Sequence, residues 1–167
     1  MIWFTSDTHF GHANVLHFTD RPFGDIAHMN RALINAINER VAPTDDLYIL
    51  GDFSYQMTAV EAAALRSKIN CRKVHIVPGN HDKDWTHKDV TGTFIVEPPI
   101  VRINIHGQKI VLSHYPLMEW QSMSRGSWHL HGHIHSAGSV YNELNRKQGL
   151  MRYDAVSYTH LTLPTIA

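Results

Sequence analysis

Short apolar or β-branched runs, each leading through a small or polar residue to a side chain able to bind a cation, recur along this chain. Met1-Ile2-Trp3-Phe4-Thr5 precedes Asp7, Leu47-Tyr48-Ile49-Leu50 precedes Asp52, Val74-His75-Ile76-Val77 precedes Asn80, and Ile110-Val111-Leu112 precedes His114. Runs of this length and composition read as buried strands. Strands sharing a sheet would bring Asp, Asn and His from distant positions to one rim, where functional loops on a rigid scaffold collect. The pattern therefore constrains the chain to an α/β arrangement with its polar chemistry at the strand ends.

Between these runs the periodicity changes. Ile26, Met29, Leu33, Ile37 and Val41 recur at helical spacing, with Asp25 placed to cap and Pro43 placed to stop the helix. Residues 7 to 25 read as a polar loop. Thr58-Ala59-Val60-Glu61 has the form of a capping box ahead of an alanine-rich helix through about Ile69. Lys73 to Pro78 reads as the third strand. From Thr93 to Tyr141 the sequence reads as rich in strands, and Ile100 to Asn104 and Lys109 to Ser113 flank a hairpin turn at His106-Gly107-Gln108.

A chain of 167 residues favours one domain with room for a layered core. Its 15 Lys and Arg balance 15 Asp and Glu, so no global positive field favours long nucleic acid. The single Cys71 forms no internal disulfide, and no apolar run reaches membrane-spanning length. With no secretory signal pattern at the N-terminus, a cytoplasmic location is expected. The 14 His are the compositional outlier, and many of them need only a structural role.

Taken in order, Asp7-Thr8-His9-Phe10-Gly11-His12, Gly51-Asp52-Phe53, Gly79-Asn80-His81-Asp82, Ser113-His114-Tyr115-Pro116 and Gly132-His133-Ile134-His135 resemble the signature blocks of the calcineurin-like metallophosphoesterase superfamily. One block alone is a weak signal; the ordered set is specific. The match runs over roughly residues 2 to 154, and the opening block is similar to that of small bacterial and phage-type members. The resemblance implies two mixed β-sheets packed face to face and flanked by helices, over a domain spanning residues 1–155.

It also implies a dinuclear metal centre that hydrolyses phosphoesters, either monoesters or diesters. Matched block by block, Asp7, His9 and His135 would hold one ion, Asn80, His114 and His133 the other, and Asp52 would bridge. Oxygen and nitrogen ligands permit Mn, expected first, and also Fe, Zn, Ni or Co. Two such ions sit about 3.5–4 Å apart and turn bound water into a nucleophile near neutral pH. His81 would give the leaving group its proton, with Asp82 orienting the imidazole. His12 and Arg21, in the loop after the first ligands, would touch substrate phosphate, since a guanidinium engages phosphate through paired hydrogen bonds; a solvated loop charge is the equal alternative for Arg21, which precedes Pro22-Phe23. Tyr115, Trp120 and Arg125, in the stretch from the fourth block to the fifth, would line the cleft mouth, where the two aromatics could stack on a base; packing is the favoured reading of that pair. The expected substrate is a small or nucleotide-like phosphoester.

Each of these residues has a plainer reading on its own. Asp7, Asp52 and Asn80 suit turns after strands, and any one His suits a surface or hydrogen-bonded position. A different class of function, a scaffold that keeps the fold and binds partner proteins without turnover, predicts eroded ligand positions or a replaced His81; neither occurs. Purely structural ions would favour a closed, Cys-rich set instead. The segment from about Val156, including Ser157-Tyr158-Thr159-His160-Leu161-Thr162-Leu163-Pro164-Thr165, resembles a translated sequencing adapter and is expected to be a non-native tail over 156–167.

Overall fold

A computed structural model describes residues 1–18, 21–136 and 139–155. The expected tail, residues 156–167, lies outside the described residues. The first sheet has the order β1 (Ile2–Thr5), β2 (Asp46–Ile49), β3 (Lys73–Ile76) and β4 (Ile95–Val96), all parallel. Parallel neighbours need crossovers, and α2 (Ile26–Arg40) and α3 (Ala59–Arg66) supply two of them; the short α1 (Val15–Phe18) interrupts the expected polar loop. The second sheet runs β5 (Ile100–Ile105), β6 (Gln108–Ser113), β7 (Trp128–His131) and β8 (Arg152–Asp154). Its first pair is antiparallel and its later pairs are parallel.

Alternation along the strands divides the apolar residues between two cores. Leu47, Ile49, Val74 and Ile76 face Met29, Leu33, Ile34 and Ile37 of α2, forming a helix-on-sheet layer with Phe10, Phe53, Trp85 and Phe94. Phe4 and Leu50 instead join Val101, Ile110, Leu112 and Leu130 from the second sheet. The sheets therefore pack face to face, with the helical layer outside the first. This is the α/β architecture the sequence implied.

Local signals explain the element ends. Asp25 accepts the His28 backbone N–H at 2.6 Å, and the Thr58–Glu61 capping box is formed in both directions. Helix α3 stops at Arg66, short of the expected Ile69, where the backbone tightens into turns with Lys68 N–H on Leu65 O and Ile69 N–H on Arg66 O; the Arg66 guanidinium covers the Ile69 and Cys71 carbonyls beyond. The expected hairpin turn is made by His106 and Gly107, with φ of 50° and 91°, the left-handed pair a two-residue turn requires. The segment expected to be rich in strands, Thr93 to Tyr141, holds β4 to β7, and only its last residues pass into α4 (Ser139–Lys147), whose Asn142 brackets the Asp154 backbone through both side-chain amide atoms.

Candidate metal centre

The parallel ladder between β1 and β2 continues past both strands and builds one wall of the site. Asp7 N–H donates to Gly51 O, His9 N–H to Asp52 O, Phe10 N–H to Phe53 O, and Tyr55 N–H returns to Phe10 O. This carries two of the motif loops side by side. Asp7, His9 and Asp52 take φ values of 50°, 49° and 53°, and His133 and His135 take 72° and 45°. Non-glycine residues adopt this region uncommonly, and clusters of them collect at functional sites.

The side chains converge as two groups. Asp7, His9 and His135 form one, and Asp52, His114 and His133 the other; within each group, one ligand-type atom per residue lies within 4.8 Å of the others. Asn80 joins the second group, its Oδ1 3.0 Å from His114 Nε2 and 3.1 Å from His133 Nδ1. Between the groups stands Asp52. Its Oδ2 is 3.6 Å from His9 Nε2 and 3.6 Å from His114 Nε2, so one oxygen faces a member of each set. Its Oδ1 accepts the His81 backbone N–H at 2.9 Å. Close backbone approach makes this possible: a Cβ on Gly79 would run into the Asp52 carboxylate and His114.

The donor set fits cations. His9 Nε2 and His135 Nε2 point at each other across 3.0 Å, and Asn80 Oδ1 shares its space with two imidazole nitrogens. Convergent lone pairs of this kind are relieved by a positive charge at their focus. The electrostatics agree. Burial pushes Asp7 well above the usual carboxylate range, with Asp154 and Asp52 adding repulsion. Burial also lowers His9 to about 2 and His135 to about 4, leaving the imidazoles neutral, the form in which a ring nitrogen can bind a cation. The His114 tautomer is set from behind, because its Nδ1 lies 2.9 Å from the Leu50 carbonyl.

His81 is half-buried at the rim, its ring centroid 5.8 Å from that of His9. What holds it differs from expectation. Asp82 does not orient the imidazole: its Oδ1 accepts Phe53 N–H at 2.9 Å, and its Oδ2 accepts Asp52 N–H and Gly79 N–H, each at 2.8 Å. The turn aims this carboxylate inward, where it ties two motif loops together. The ring packed on His81 is Tyr55, edge-on at 4.6 Å, and Tyr55 also packs on His12 at 4.2 Å. Tyr55 carries no ligand-type group and drew no attention in sequence; its position just after Gly51-Asp52-Phe53-Ser54 was the available signal.

His12 stands at the rim, its Nδ1 3.3 Å from His9 Nδ1. Arg21 does not reach the rim. It is 4 % exposed, and its guanidinium donates to the Asp7 carbonyl at 2.7 Å and the Thr8 carbonyl at 2.9 Å. The geometry thus replaces the expected phosphate contact with support for the ligand loop. Trp120 is also buried, donating from Nε1 to Ser127 O and packing on His129 of β7; the surface pocket it lines, with Glu119, Ser122, Met123 and Ser124, includes none of the candidate metal ligands. Arg125 lies in an exposed single 3₁₀ turn, and Tyr115 is exposed beside His133. Cys71 is buried, its thiol on the Asp45 carbonyl, with no nucleophilic setting.

Two further His in the same region are structural. His129 and His131 in β7 are buried and held on backbone carbonyls, Val111 O and Gly132 O, and desolvation lowers them to about 4 and about 3. Behind the last ligand loop, Asp154 Oδ2 accepts both the N–H and the hydroxyl of Ser136.

This combination of paired sheets and a ligand-rich rim defines a metallophosphoesterase-type sandwich. Residues 1–153 match the calcineurin-like phosphoesterase superfamily domain, and the chain belongs to that family. It is 30 % identical over 135 residues to an uncharacterised protein of Methanocaldococcus jannaschii, covering 81 % of this chain and 69 % of that one. It is 27 % identical to the Gene 66 protein of Mycobacterium phage L5, covering 92 % of this chain and 86 % of that one. Among solved structures, a protein of unknown function from Aquifex aeolicus superposes with a TM-score of 0.70 at 23 % identity, over 93 % of this chain and 89 % of its own. An archaeal phosphodiesterase superposes at 0.51 with 18 % identity, over 93 % and 83 %, which shows the shared fold. Among the described residues, no helix is long and apolar enough to cross a membrane.

Proposed function

We propose that this protein hydrolyses phosphoester bonds at a dinuclear metal centre held by Asp7, His9 and His135 on one side, Asn80, His114 and His133 on the other, and Asp52 between them. The observation that carries the reading is the position of Asp52, one of whose oxygens is equidistant from His9 and His114. Membership of a phosphoesterase family supports the reaction class. Bound divalent cations would supply an acidified water and positive charge for the phosphoryl oxygens. His81 stands beside this centre, fixed through its backbone by Asp52 and through its ring by Tyr55, and gives its proton to the departing oxygen. His12, beside His9, contacts the phosphate. The protein works in the cytoplasm on a small or nucleotide-like phosphoester, with Mn as the first candidate ion.

Metal-stripped protein restored with Mn, Ni, Co or Zn should hydrolyse bis-p-nitrophenyl phosphate or p-nitrophenyl phosphate, and the ratio of the two rates assigns diester or monoester preference. Folded protein that binds two ions per chain and turns over neither compound would sink this reading.

A further inference from the structure

The rim of the site is asymmetric in its aromatic rings. Beside the first ligand group, Tyr55 is already covered on two sides by His12 and His81. Beside the second, Tyr115 rests against His133 with centroids 4.5 Å apart and against His114 at 5.0 Å, yet stays 50 % exposed. Its backbone is not loose. The Ser113 hydroxyl donates to the Tyr115 carbonyl at 2.6 Å, directly after β6, so the ring is presented from a pinned position.

A large ring left in water beside charged and polar groups is the kind of surface a flat ligand covers. A tyrosine loses few rotatable bonds on contact and offers both a π-face and a polar tip. Stacking on such a ring tolerates different bases, because every base has a π-face. We infer that Tyr115 is a specificity-determining platform that takes a planar ring on one ester substituent of the substrate, which makes the preferred substrate a phosphodiester bearing a nucleoside or similar aromatic group. This rests on the proposed hydrolytic reading of the same site.

The test uses Mn-loaded protein and two diesters with the same leaving group, thymidine 5′-p-nitrophenyl phosphate and methyl p-nitrophenyl phosphate. In each, water adds to phosphorus and p-nitrophenolate departs, so only the retained substituent differs. The wild type should favour the thymidyl compound in kcat/KM, and Tyr115→Leu, which keeps bulk against His133 but removes the π-face, should reduce that ratio about tenfold. Tyr115→Phe should restore it. An unchanged ratio in Tyr115→Leu overturns the inference while leaving the hydrolytic reading intact. Calorimetry with thymidine 5′-methyl phosphate and dimethyl phosphate decides the matter independently of turnover: tighter thymidyl binding lost in Tyr115→Leu supports the platform, and equal binding of both ligands by the wild type overturns it.

Discussion

Asp52 and His81 are joined by a 2.9 Å hydrogen bond from the His81 backbone N–H to Asp52 Oδ1, while Oδ2 of the same carboxylate faces His9 and His114. One residue thus positions both the proposed proton donor and the proposed ion pair. His81→Ala should lower kcat by roughly 10²–10⁴ while Mn content, read by atomic emission, stays at the wild-type level. Asp52→Ala should lose both turnover and metal. Metal loss in His81→Ala would instead make His81 a ligand.

Asp82 is predicted to act through the backbone. Asp82→Ala strips the acceptor from three N–H groups, those of Asp52, Phe53 and Gly79, at roughly 1–3 kcal/mol for each group left unsatisfied. A clear fall in Tm and weaker Mn binding are expected. Asp82→Asn keeps much of the shape, and the acidic limb of its pH–rate profile should stay where the wild type has it. Movement of that limb would show that Asp82 tunes the His81 imidazole after all.

Arg21→Met removes the donors to two carbonyls beneath the first ligand loop and should cost about 2–4 kcal/mol of stability. Arg21→Lys, able to reach one carbonyl but not to span both as a fork does, should fold, bind Mn more weakly, and show a KM for substrate close to wild type once saturated with metal. A raised KM at full metal occupancy would return Arg21 to the phosphate.

Asp154 gives a pH signature in metal-free protein. Burial raises it from 3.8 to about 6 despite the two hydrogen bonds from Ser136. The native state therefore holds this proton more tightly than the unfolded chain. The associated stability is present below about pH 4 and is lost as pH rises through about 6, at most about 3 kcal/mol. Asp154→Asn should flatten this part of the stability profile relative to wild type, measured by urea unfolding from pH 4 to 7. An identical slope in both proteins would show that Asp154 does not titrate in that window.

His9, His133 and His135 were legible only through their place in the ordered motif blocks; Asp7, Asp52, Asn80 and His114 were legible because each follows an apolar run, and the strands that those runs form end at the same rim. Capping at Asp25 and Thr58 was legible for the same reason: local chemistry decides it. What was not legible depended on direction in space. Asp82 follows His81 in the chain, but the turn points its carboxylate back under the Asp52 loop, which adjacency does not reveal. Arg21 sits among polar loop residues and yet is buried by the long return of α2, whose Met29 sulfur it also reaches. Helix α4 has Val140, Tyr141 and Leu144 at helical spacing, yet Val140 and Leu144 are exposed and Asn142 anchors the helix to the Asp154 backbone, so the spacing does not mark the face that packs.

Both ligand groups draw from both sheets. Asp7 and His9 follow β1 while His135 follows β7; Asp52 follows β2 while His114 follows β6 and His133 follows β7. Each ion would therefore act as a rivet through the sandwich, available only when its two halves are closed. Loading the centre would brace a seam that the apolar core of Phe4, Leu50, Leu112 and Leu130 already closes, so ion occupancy would also set how firmly the two halves hold together.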